Sequence, residues 1–171
     1  MLAACILAMF AVSACQDKGR EGVKGKATDF SLKNLDGKDI RLSDFKGKVV
    51  LLDFWATWCP PCVSAVPQLA SLHERYKEKG FEIIGISMDH SVGDAKSFVS
   101  EHNVPYTVLM SNDKVEKQYG VTTIPVTFLI DKSGVVVKKH LGFAPAIAEE
   151  VENEIRLLIE DIPLETMKGE K

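Results

Sequence analysis

Cys59 and Cys62, separated by Pro60 and Pro61, are the residues whose types and spacing could do chemistry. Such a pair can close a small disulfide, hold a reactive dithiol or supply half of a zinc site. The apolar run Val49–Trp55 directly before it reads as a strand buried on both faces, and the residues from Pro60 onward read as a helix. The pair would then stand at a strand-to-helix turn, with Cys59 at the helix N-terminus. There the unpaired backbone N–H groups and the helix dipole favour a thiolate over a thiol. A thiolate attacks disulfides, so the setting points to thiol–disulfide exchange.

The elements that must position this turn follow from periodicity and turn residues. Stretches 27–32 and 38–42 flank Asp36-Gly37, a two-residue hairpin signal. A helix is predicted from Pro60 to about Lys79, kinked by Pro67, and a second central strand over 81–88. A helical stretch over 92–102, a short strand over 106–110 and a short helix over 114–119, stopped by Gly120, come next. Val126–Ile130 and Val135–Leu141 read as strands joined by the turn Asp131-Lys132-Ser133-Gly134. Pro145–Ile159 carries apolar residues at three- and four-residue spacing, an amphipathic helix. This order predicts a three-layer α/β domain.

The chain has 171 residues, 46% of them hydrophobic, enough for one domain with a core. A formal net charge of −3 without a dense basic cluster argues against a nucleic-acid partner. Residues 2–14 carry no charge and are too short to span a bilayer, which fits the apolar core of an export signal. Val12-Ser13-Ala14-Cys15 resembles the lipobox of bacterial lipoproteins, in which the cysteine is lipidated. We therefore expect a signal peptide over 1–14, a flexible tether over 15–26 from lipidated Cys15, a folded domain over 27–162 and a polar tail over 163–171. Of four cysteines, Cys5 would leave with the signal and Cys15 would carry lipid. One pair without spare thiols suits an oxidising compartment, here the periplasmic side of the cell envelope.

Three separated stretches resemble the TlpA/ResA-like thiol–disulfide oxidoreductases of the thioredoxin superfamily. They are Asp53-Phe54-Trp55-Ala56-Thr57-Trp58-Cys59-Pro60-Pro61-Cys62, then Pro67, then Thr123-Ile124-Pro125-Val126-Thr127-Phe128. The resemblance implies a thioredoxin fold: a central mixed sheet flanked by helices, with an N-terminal β-hairpin and a central αβ insertion. It implies that Cys59 is the nucleophile and that Cys62 resolves the mixed disulfide. Trp58, Pro60, Pro61, Ile124 and a cis Pro125 would form the substrate-binding surface. Asp53, an acid in an apolar run, is costly to bury unless paired or protonated. It matches the buried aspartate that takes or relays the proton of the resolving cysteine, the alternative being a strand-end carboxylate reaching solvent. Many members carry a glutamate three residues after the second cysteine, where this chain has Ala65. The acid–base group is therefore expected from the strand.

The implied partners are protein disulfides, apocytochrome c among them, a membrane thiol-electron carrier, and the membrane through the lipid anchor. A monomer without metal or cofactor is expected. A disulfide-forming oxidase of the same fold is the first alternative. A peroxiredoxin would need Pro seven residues, and Thr or Ser three residues, before its nucleophile; here those positions are Leu52 and Ala56. A copper-binding metallochaperone would use the two thiolates as soft ligands, but no histidine stands at a suitable spacing. His73 and His102 are expected on helix surfaces, His90 near a sheet edge and His140 late in a strand.

Overall fold

The computed structural model describes residues 25–165. In chain order the elements are β1 (Gly25–Lys26), β2 (Ser31–Lys33), β3 (Asp39–Arg41), β4 (Val49–Trp55), α1 (Pro60–Tyr76), β5 (Phe81–Ser87), α2 (Val92–Glu101), β6 (Thr107–Met110), α3 (Asp113–Gln118), β7 (Val126–Ile130), β8 (Val135–Leu141) and α4 (Pro145–Ile159). Six strands form one mixed sheet in the order β1-β8-β7-β4-β5-β6. β4 pairs in parallel with β5 and antiparallel with β7. β2 and β3 form the predicted hairpin as a separate sheet, and α2 with β6 is the predicted insertion.

Alternation along β4 divides the core. Leu51 and Trp55 face Leu69 and Leu72 of α1 and Val151 and Ile155 of α4. Val50, Leu52 and Phe54 face the other way, beneath Phe30, Leu32 and Leu42 and beside Val115 and Tyr119. The hairpin region is thus the cover of the second face. Without it, a sheet apolar on both sides would leave one side wet.

The hairpin departs from the two-residue expectation. β2 and β3 have three residues each, paired Leu32 to Ile40, and the connection runs over residues 34–38. Asn34 accounts for the longer loop: its Oδ1 accepts the N–H groups of Asp36 and Lys38, at 3.1 and 2.9 Å. Gly37 follows at φ +81°, a conformation open to glycine. The expected tether is also too long by two residues. Gly25 and Lys26 pair with Val136 and Val135, so the sheet begins before residue 27. The predicted signal segment, Cys5 and Cys15 lie outside the described residues, as does the tail beyond Glu165.

Two polar clusters sit inside the apolar layers. His73 is buried, contrary to the expectation of a surface residue, and its Nε2 lies 2.9 Å from Glu82 Oε1. Its position explains this: it is four residues after Leu69 and seven after Val66, on the inward stripe of α1. His140 is likewise buried, its Nε2 2.9 Å from Oε2 of the fully buried Glu154 on α4. Lys138 Nζ stands 2.9 Å from the other oxygen, off the angle of a hydrogen bond, so that contact is an ion pair.

Glu154 is therefore the counter-charge that fastens α4 to β8. Glu154→Ala leaves His140 and Lys138 without it and opens a void beside Ile155, a loss of about 3 kcal/mol or more. Thermal unfolding should show a melting temperature lower by roughly 10 °C.

Candidate active site

β4 delivers the chain to the turn that carries the cysteines, and neighbouring strands bring their contributions to the same edge. Pairing of Phe54 with Val126 sets residues 124 and 125 opposite the end of β4, and pairing of Trp55 with Ser87 sets residues 88 and 89 beside the turn. Cys59 is the residue that caps α1, with Pro60 and Pro61 in its first positions. A proline there loses no helical hydrogen bond, because the first N–H groups of a helix are unpaired in any case. Cys59 and Cys62 form a disulfide with Cα atoms 5.3 Å apart, and Cys59 Sγ accepts the Cys62 N–H at 3.3 Å.

Both cysteines are buried. Cys59 is 5% and Cys62 2% exposed, and both belong to the apolar cluster around Trp55, Ala56 and Val66. Cys59 is the more accessible of the two by a narrow margin. The exposed surface is supplied by Trp58, at 62%, with Pro60 and Pro61 beside it. Trp58 is thus no core aromatic. The Ile124–Pro125 peptide is cis, Pro125 is buried, and Ile124 packs against the cluster that contains both cysteines.

Asp53 is 4% exposed, which removes the reading of a carboxylate reaching solvent. It lies on the same face as Leu51 and Trp55, opposite Thr127 on β7 and Gly85 on β5. Burial pushes its pKa up to about 7, with no cation to offset it. Burial also raises the pKa of Tyr106, and the negative charge of Asp53 adds to that. Ala65 is buried against the core, so α1 offers no carboxylate at that position.

One residue of the site escaped the sequence reading. Asp89, buried just beyond β5, accepts hydrogen bonds from the Thr57 N–H (3.1 Å), the Thr57 hydroxyl (2.7 Å) and the Ser87 hydroxyl (2.8 Å). The signal was Ser87-Met88-Asp89 at the carboxyl end of a parallel strand, the edge at which α/β sheets gather their sites. His90 next to it is exposed, and among the described residues no three His, Cys, Asp or Glu side chains are grouped to hold a metal. Among the same residues no helix is long and apolar enough to cross a membrane.

Known proteins resemble this chain in sequence and in fold. The AhpC/TSA family model matches residues 23–139. The thiol–disulfide oxidoreductase ResA of Bacillus thuringiensis (strain Al Hakam) is 40% identical over 127 residues, which cover 74% of this chain and 73% of that protein. ResA of Bacillus subtilis (strain 168) is 38% identical over 72% of this chain and 71% of its own length. Among solved structures, a Chlorobium tepidum protein provisionally assigned as the thiol:disulfide interchange protein DsbE superposes with a TM-score of 0.76. It is 38% identical, over 80% of this chain and 96% of that one.

The chain belongs to the AhpC/TSA family and, within the thioredoxin superfamily, to its TlpA/ResA-like members. It is a thiol–disulfide oxidoreductase. The Pro and Thr or Ser that a peroxidase nucleophile needs are replaced by Leu52 and Ala56, so the family match carries the fold and the ResA relatives carry the chemistry.

The raised pKa of Asp53 has a consequence for stability. In the unfolded chain its carboxyl loses its proton near pH 4, in the folded chain near pH 7. The folded state therefore binds the extra proton, and stability falls as pH rises through that window. Asp53→Asn should be indistinguishable from wild type in denaturant titrations at pH 4. At pH 8 it should be more stable, by about 4 kcal/mol if the whole effect is realised.

Proposed function

We propose that the protein reduces disulfides in other proteins on the extracytoplasmic side of the membrane, using Cys59 as nucleophile, Cys62 as resolving thiol and Asp53 as proton acceptor. The observation that carries this reading is what β4 and the turn after it hold in sequence: a buried carboxyl with a pKa near neutrality on the strand, then an exposed Trp58 and the helix-capping Cys59 that follows it.

The steps follow from these positions. In the reduced enzyme, the Cys59 thiolate attacks one sulfur of a substrate disulfide, forming a mixed disulfide and releasing the other sulfur as a thiolate. Trp58, Pro60 and Pro61 offer a flat apolar surface to the substrate, while the Ile124 backbone at the cis peptide offers hydrogen-bonding groups to an extended chain. Cys62 then loses its proton to Asp53 and attacks Cys59 Sγ. The Cys59–Cys62 disulfide forms, the second substrate sulfur leaves, and two electrons have passed to the substrate. A membrane thiol carrier restores the dithiol by the reverse exchange.

The substrate class that fits is a partly unfolded protein with an accessible disulfide. An apocytochrome c, whose two cysteines must be reduced before haem attachment, is such a protein. Anchorage through lipidated Cys15 would hold the domain near that substrate. The ResA name of the relatives supports the reaction type, and the export-signal reading of residues 2–14 supports the compartment.

Two measurements test the reading. Cys62→Ser should accumulate a mixed disulfide through Cys59 that dithiothreitol releases; recovery of no Cys59-dependent adduct would count against the nucleophile. Equilibration of the pair against glutathione or dithiothreitol buffers should give a potential near −270 mV. A value near −120 mV, the strongly oxidising end of the range, would reverse the direction and make the enzyme a disulfide-forming one.

A further inference from the structure

The turn that presents Cys59 is tied down at one point. Residues 56–58 leave β4 without entering α1, and their backbone groups need partners that neither element supplies. Cys59 N–H donates to Ala56 O at 3.2 Å, which closes the turn on itself. Thr57 reaches outward, and both its N–H and its hydroxyl end on the carboxylate of Asp89, 32 residues later. The Ser87 hydroxyl takes the second oxygen at 2.8 Å and in turn accepts the Asp89 N–H at 3.2 Å. Met88 N–H donates to Trp55 O at 2.8 Å alongside. The turn and the exit of β5 are thus joined through one buried acid, while a backbone bond ties the last residue of β4 alongside.

All three side-chain and backbone donors to Asp89 are neutral. The carboxylate is therefore satisfied as an acceptor, while its charge is left without a cation. That charge lies against Thr57, two residues before the nucleophile, in surroundings where water screens it poorly. A negative charge disfavours a thiolate, whereas the N-terminus of α1 favours one. The other titratable groups on the elements that meet here are Asp53 of β4, Tyr106 in the apolar cluster that holds both cysteines, and the exposed His90 next to Asp89; residues 122–125, leading into β7, bring no charge.

We propose that Asp89 is a positioning residue for the redox pair: its carboxylate fixes the Thr57–Trp58 turn in front of Cys59 and, through its charge, restrains the ionisation of Cys59. The proposal rests on Cys59 being the nucleophile and adds the group that governs its reactivity. The same contact turns Trp58 outward, so one residue sets both the geometry and the electrostatics of the attacking thiol. Asp53 is thus the acid assigned to Cys62, and Asp89 the acid assigned to Cys59.

The experiment is the pH dependence of iodoacetamide alkylation of the fully reduced protein, followed site by site by mass spectrometry. In Asp89→Asn the amide oxygen still accepts from Thr57 and the shape is kept, but the charge is gone. Its Cys59 should alkylate roughly tenfold faster than wild type at a pH below both thiol midpoints, a downward shift of about one pH unit. Thr57→Val removes one donor and keeps the charge, leaving the carboxylate less compensated. Its Cys59 should alkylate about threefold more slowly. A merely structural tie, which Asp89→Asn preserves, would leave that variant at the wild-type rate. Rates for Asp89→Asn that match wild type, or a faster rate in both variants, overturn the role of Asp89. If Asp89→Asn does not fold, the sign of the Thr57→Val change decides alone. Preferential alkylation of Cys62 in wild type would instead overturn the assignment of Cys59 as nucleophile, and the proposal with it.

Discussion

The complete burial of β4 is the constraint from which the rest of the structure follows. All seven of its residues are buried, with β5 on one side, β7 on the other and apolar side chains over both faces. A strand so enclosed can open to solvent only at its ends. The register of its two neighbours decides what meets the chain at the carboxyl end. Antiparallel β7 starts there, so the cis Ile124–Pro125 peptide that precedes it arrives at the same edge. Parallel β5 ends there, so Ser87 and Asp89 do too. A mixed sheet is needed for this meeting: two parallel neighbours would bring strand ends alone, and two antiparallel neighbours strand starts alone.

Asp53 is the exception within β4 and shows what that burial does to a charge. Its lateral neighbours leave it room without compensating it. Thr127 is one, and its hydroxyl finds no partner among the described residues. Gly85 is the other. A Cβ at Gly85 would come within 3.0 Å of Trp55 Nε1 and 3.3 Å of Tyr106 Cε2, so the site holds glycine because two rings close over it. Three ordinary choices — a small residue, a ring and a hydroxyl — thereby surround a carboxyl that can change protonation near neutral pH. A lysine beside it would have held the carboxyl ionised at neutral pH.

Much of this was legible in the sequence because it depends on local pattern. β4, β7, β8 and α4 have the spans that apolar continuity, the Asp131–Gly134 turn and helical spacing predict. Cys59, Cys62 and Asp53 stand out as residue types foreign to their surroundings. What escaped depends on partners far along the chain. His73 looked like one more polar residue on a helix until Glu82 met it, and Glu154 looked like one of many acids on α4 until β8 brought His140 and Lys138 to it. Asp89 escaped for the same reason, since the turn it holds lies 32 residues away. The hairpin loop was misjudged on a local point: Asn34 makes an Asx-type turn that lengthens the connection beyond what Asp36-Gly37 alone would need.

Two buried acids at one redox site are best understood through their hydrogen bonds. Asp89 accepts from three donors across two elements, and moving it would break all of them, so it acts as an anchor. Asp53 lies beside Gly85 with its two covering rings and a Thr127 hydroxyl without a partner among the described residues, with burial as the dominant influence on it. The division matches the demands of exchange at two unlike thiols. The attacking thiol must be held still and kept from ionising too freely, whereas the resolving thiol must give up a proton at the moment it attacks. Satisfied hydrogen bonds suit the first task, and their scarcity suits the second. The register of one enclosed strand places one acid within it, between Gly85 and Thr127, and brings the other to the turn at its end.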